Sequence, residues 1–150
     1  METTFDYEKD FYSWIMGNAQ LLREQRFDKI DADNIAEELE SMGRSEKREL
    51  ISCFAVLLTH LLKWQFQAVK RSRSWKNTIM VQRLDIKDLL EDSPSLRYLI
   101  EAKLDKAYQK AKLKAEDKTG IDKKYFPRQC PYSFEETLNK TFFPDETGKI

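Results

Sequence analysis

Apolar residues recur along the chain at intervals of three and four, and no stretch alternates at period two long enough to suggest a strand. The pattern therefore predicts helices. The first is expected from Tyr7 to Gln25, capped by Asp6, with Tyr7, Phe11, Trp14, Ile15, Leu21 and Leu22 as its buried stripe. Gly17 falls inside it, at a cost of about 1 kcal/mol against alanine. A second, shorter helix follows Ile30, with Asp31 as N-cap, Ile35, Leu39 and Met42 on one face, and Gly43 as its C-cap. From Ser45 the apolar positions Leu50, Phe54, Leu57, Leu58, Leu61, Leu62, Phe66 and Val69 form the longest stripe, so this third helix is expected to be central. Fraying is expected near residues 71–74.

Ser74 then caps a fourth helix carrying Ile79, Leu84, Ile86, Leu89 and Leu90. Ser93-Pro94-Ser95 starts a fifth, with proline at the first helical position, and Gly120 closes it. Its apolar positions are Leu96, Leu99, Ile100, Leu104, Ala107, Tyr108 and Ala111. Beyond it, Tyr125-Phe126-Pro127 and Cys130-Pro131-Tyr132 are irregular, aromatic and punctuated by proline. Such a segment is expected to strap across the bundle and close one side of its core. Ser133-Phe134-Glu135-Glu136 is a capping box, which predicts a short last helix from Phe134 to about Lys140. The expected fold is all-α: one compact domain over 1–150, with its core over about 6–144. It holds four to five main helices, an aromatic strap and a short C-terminal helix.

Charge changes this picture locally. The 150 residues carry 26 acids and 26 bases, so no global field attracts nucleic acid or a membrane. Residues 1–45 nevertheless hold 11 acids and 5 bases, a net of −6, and residues 46–83 hold 2 acids and 8 bases, a net of +6. Two cysteines without motif spacing, the lack of a secretory pattern and the lack of any long apolar run point to a cytoplasmic protein with no membrane association.

Two constellations are candidates for chemistry. His60, the single histidine, lies one helical turn from Lys63 and Trp64. If helices two and three pack antiparallel, Glu37 or Glu38 reaches it, giving a metal or acid–base site. The plainer alternative is a stabilising pair. The second constellation is the stretch 63–83, which has no acid: Lys63, Lys70, Arg71, Arg73, Lys76 and Arg83, interleaved with Trp64 and Trp75. Cations for phosphates and flat rings for bases suit nucleic acid, whereas attraction to the acidic helices explains the same charges internally. Lys103, Lys106, Lys110 and Lys114 add a second basic stripe at helical spacing. No phosphate-binding glycine loop, dinucleotide fingerprint or nucleophile elbow occurs, and no cofactor is expected.

In order along the chain stand Phe11-Tyr12-Ser13-Trp14, Asp33-Asn34-Ile35-Ala36-Glu37-Glu38-Leu39, His60-Leu61-Leu62-Lys63-Trp64, Ser74-Trp75 with Arg83, Ser93-Pro94-Ser95-Leu96 and Phe126-Pro127 with Cys130-Pro131-Tyr132. The ordered set resembles the domain of unknown function 29 family, helical proteins well represented in cyanobacteria. That resemblance implies a small helical bundle and transfers no catalytic residue. The favoured expectation is a non-enzymatic interaction or regulatory module. A protein partner is expected at the acidic face of helix two or at the aromatic strap, with nucleic acid or the metal site as alternatives.

Overall fold

The computed structural model describes residues 5–146, and among them it contains five α-helices and no strand. They are α1 (Phe11–Arg23), α2 (Ala32–Phe66), α3 (Arg73–Asp92), α4 (Leu96–Thr119) and α5 (Phe134–Leu138), with short 3-10 turns at Ala68–Lys70 and Lys123–Tyr125. The all-α expectation holds. Its second and third helices are one: Gly43 sits inside the 35-residue α2 rather than capping it. With good helix formers on both sides, one exposed glycine costs about 1 kcal/mol, which is too little to break a helix that packing holds further on. The chain forms two compact units, Met1–Ser45 and Glu46–Ile150.

In the first unit α1 begins a turn later than predicted. Asp6 Oδ1 accepts the amides of Glu8 and Lys9 in a preceding turn, and Asp10 is the true cap, accepting from Ser13 N at 3.1 Å. The helix ends in a Schellman motif: Arg26 N donates to Leu21 O at 2.9 Å and Gln25 N to Leu22 O at 3.0 Å. Gln25 occupies the left-handed position, φ 59°, where glycine is usual. Gly17 is buried for a reason the sequence did not reveal, since a Cβ there would overlap the Phe5 ring. Of the predicted stripe only Trp14 is buried. Tyr7 and Leu21 are half-buried, and Phe11, Ile15 and Leu22 face solvent. A hairpin of α1 with the start of α2 shares one seam, which is too narrow to cover six side chains.

Hydrogen bonds define that seam. Asp31 caps α2 as predicted, and its Oδ2 also accepts Trp14 Nε1 at 2.9 Å and Asn34 Nδ2 at 2.8 Å. Buried Asn18 donates to Trp14 O and accepts Asp31 N, each at 2.9 Å.

In the second unit the predicted central stripe is the core. Leu50, Phe54, Leu57, Leu58, Leu61 and Leu62 are fully buried, and Ile79, Ile86, Ile100 and Tyr108 pack with them. Val69 lies beyond the end of α2 and is 91% exposed, and Leu84 is also exposed, so both leave the predicted stripes. α3 is capped by Ser72 rather than Ser74, through Trp75 N at 3.2 Å. α4 starts at Leu96 after a turn at Pro94-Ser95 and ends at Gly120, φ 76°. Its buried alanines, Ala107, Ala111 and Ala115, let the helix approach closely.

The aromatic segment closes this core, as expected. Phe126, Tyr132 and Phe134 are buried, Tyr108 donates to Pro127 O at 2.6 Å, and Tyr132 donates to Gln65 Oε1 at 2.6 Å. The capping box at Ser133 and Glu136 is present, and α5 ends at Leu138, two residues short of its predicted end near Lys140.

Candidate functional site

His60 lies on the half of α2 that builds the second unit. Its Nδ1 stands 2.9 Å from Val56 O, so Nδ1 carries the proton and Nε2 is the free nitrogen. Burial, with Lys63 and Lys118 nearby, holds its pKa below the ordinary histidine value and keeps it neutral. Lys63 is buried too, with its ammonium 4.4 Å from the centre of the Trp75 ring, and desolvation lowers its pKa.

Glu37 and Glu38 belong to the first unit and have partners there. Glu37 pairs with Arg44 at 3.0 Å, and Glu38 accepts the Tyr7 hydroxyl, a contact that pushes the phenol up to about 12. The reversal at Gly43 that would carry either carboxylate back toward His60 does not exist, because α2 runs through it. Among the described residues no three histidine, cysteine or acidic side chains converge as a metal site.

The basic segment divides into held and free cations. Arg83 is buried; its Nε donates to Thr137 O and its Nη2 to Phe142 O, both at 2.8 Å, and it lies over the Phe143 ring. Burial without a carboxylate lowers its pKa to about 10. Arg71 donates to Trp64 O at 2.8 Å and covers the Trp64 ring at 4.8 Å. Trp64 also packs on Phe143 at 4.9 Å. Both tryptophans offered as stacking platforms are thus half-buried with a cation already on each face in use. Lys70, Arg73 and Lys76 remain exposed. Among the described residues no cation of 63–83 forms an ion pair. Backbone carbonyls and rings hold Arg71 and Arg83 instead, those of the C-terminal segment in the case of Arg83. Those partners lie more than fifty residues away from Arg83 in sequence, and nothing in the local spacing announces them.

The surface that sequence reasoning missed lies in the first unit. Tyr12 and Met16 on α1, Phe27 in the connection, and Leu39 and Met42 on α2 are 52–74% exposed. Tyr12 and Met16 are one turn apart, as are Leu39 and Met42, so each helix carries an outward apolar pair beside its buried seam. The signal was visible as excess: α1 has more apolar residues than one helix-helix seam can bury. Among the described residues no helix is long and apolar enough to cross a membrane.

Against models of known families, residues 7–143 match the family described as Domain of unknown function DUF29. Neither the curated proteins nor the solved structures gave a match.

Proposed function

We propose that this chain, which belongs to the DUF29 family, is a non-enzymatic docking module that binds a protein partner through the hairpin of α1 and the start of α2. The observation that carries this reading is the pairing of exposed apolar side chains with net charge −6 in one small unit. Exposed large apolar side chains in pairs one helical turn apart, on the two helices of one hairpin, are a surface suited to a contact site. The acid excess selects the occupant. A second copy would bring −6 against −6, so the complementary surface is a basic amphipathic helix with apolar anchors at helical spacing. Met16 and Met42 suit such a partner, because thioether side chains repack around different anchors.

Covering each of these half-exposed side chains contributes about 1 kcal/mol, so removing four should weaken binding by well over tenfold. The probe is a helical peptide of leucine and lysine with an amphipathic pattern, and its leucine–glutamate counterpart is the control. The full chain is expected to bind the first and not the second. A quadruple variant, Y12S/M16Q/L39Q/M42Q, should lose that binding while keeping its helicity. Equal binding of both peptides, or a variant that binds as well as the parent, refutes the reading. A concentration-dependent dimer abolished by the same variant would instead assign the surface to a second copy.

A further inference from the structure

In the second unit, α2 and α4 enclose a groove of about 300 Å³ lined by Arg48, Ile51, Ser52, Lys106 and Lys110. Three cations and one hydroxyl meet there, and no carboxylate lines it. The register of both helices makes this so. Neither Arg48, Lys106 nor Lys110 has an acidic residue one turn away along its own helix, the usual place for an intrahelical partner. The adjacent Glu49 and Asp105 are outside the lining, and Asp105 accepts from Gln109 Nε2 at 3.3 Å. Among the described residues none of the three cations forms an ion pair. Lys103, Lys106, Lys110 and Lys114 fall within about 80° of one another around α4, so the stripe continues past both ends of the groove.

We infer that this groove binds a small ligand bearing a pyrophosphate group. Three unneutralised cations match a diphosphate, whose charge near neutrality is about −3 if each phosphate group carries close to −1.5. Arg48 presents a planar fork suited to paired phosphate oxygens, the two lysines act as point charges, and Ser52 supplies a neutral donor. The only apolar lining is Ile51, and no ring is available for base stacking, so the site favours a bounded anion over a nucleic-acid strand. A second basic cleft, lined by Lys112, Lys123, Lys124 and Arg128, differs in containing Asp122, whose carboxylate offsets part of its charge. The groove shares no residue with the docking surface of the first unit.

The test is calorimetric titration of the full chain at low ionic strength with inorganic pyrophosphate, with ADP, and with a single-stranded oligonucleotide. Pyrophosphate should bind with a dissociation constant below about 1 mM. Lys106→Gln with Lys110→Gln should weaken it by about tenfold or more, since each charge-assisted contact to a phosphate is strong. Lys123→Gln with Lys124→Gln, in the other cleft, should leave it unchanged. ADP tighter than pyrophosphate identifies a nucleotide as the source of the group; equal affinities identify the pyrophosphate group alone. No binding at about 1 mM, or equal loss in both double variants, overturns the site. An oligonucleotide that binds more tightly and is lost in the first double variant also overturns it, in favour of nucleic acid.

Discussion

Replacing Arg83 should unfasten the C-terminal segment from the bundle. α5 spans only Phe134–Leu138, and its last carbonyls lack intrahelical partners, as at every helix end. Arg83 Nε supplies the donor for Thr137 O, a position where a cation also opposes the helix dipole. Its Nη2 takes Phe142 O beyond the helix, so one guanidinium ties two points of the strap to α3. Arg83→Met keeps the volume and removes the donors. Each orphaned carbonyl then costs about 1–3 kcal/mol, and the ring contact with Phe143 is lost as well. Against this, the variant no longer buries a charge whose Nη1 has no partner. The balance is a loss of about 2–4 kcal/mol, with the two carbonyl bonds outweighing the relief. Urea denaturation measures it as a lower midpoint at constant slope, and hydrogen exchange locates it in residues 134–146. Arg83→Lys should fall between, because an ammonium cannot fork to both carbonyls. An Arg83→Met midpoint within about 0.5 kcal/mol of the parent would refute the tether, and so would lost stability without faster exchange in the strap.

Gln25→Gly should raise stability by up to about 1 kcal/mol, because it relieves a left-handed side-chain residue in an intact Schellman motif; a lower melting temperature would contradict that. Asp31, with its pKa held down chiefly by Asn34 and then Trp14, releases its proton at lower pH in the folded than in the unfolded chain. Its stabilisation is therefore complete above the ordinary aspartate pKa and lost as pH falls through the depressed one. Asp31→Asn should flatten the acid side of the stability–pH curve, and an unchanged acid limb would count against the Trp14–Asp31–Asn34 cluster. His60, the single histidine, should titrate by NMR below its ordinary value. Stability tied to its neutral form is then full above about pH 6.5 and declines as pH falls toward the lowered pKa, and a titration at or above 6.5 would show a hydrated ring. Leu61→Ala in the core of α2 should cost about 2–5 kcal/mol, and a change under about 1 kcal/mol would displace that helix from the centre of its unit.

The all-helical class, the central stripe of Leu50 to Leu62, the Asp31 cap, the Gly120 stop, the Ser133 capping box and the strap's place over the core were legible because each depends on local spacing or short-range bonding. The continuity of α2 through Gly43 was not, because propensity at one residue is weak beside packing on either side. That single difference removes the turn on which a Glu37, Glu38 and His60 site depended. The charged residues divide in the same way. Sequence located the acid-free run 63–83, but which of its cations are free depends on carbonyls and rings supplied from Thr137 to Pro144. It located the lysine stripe of α4, but Arg48 from α2 joins that stripe only across a groove.

Sequence by itself determined the helical class, the buried central stripe of α2 and most of the caps, since periodicity and caps act within a few residues. Tertiary structure decided which apolar residues of α1 stay in water and which cations keep their charge unanswered. Both are decided by how much seam a neighbouring helix offers and by which backbone carbonyls reach a given side chain. Neither quantity is written within one helical turn of the residue it governs.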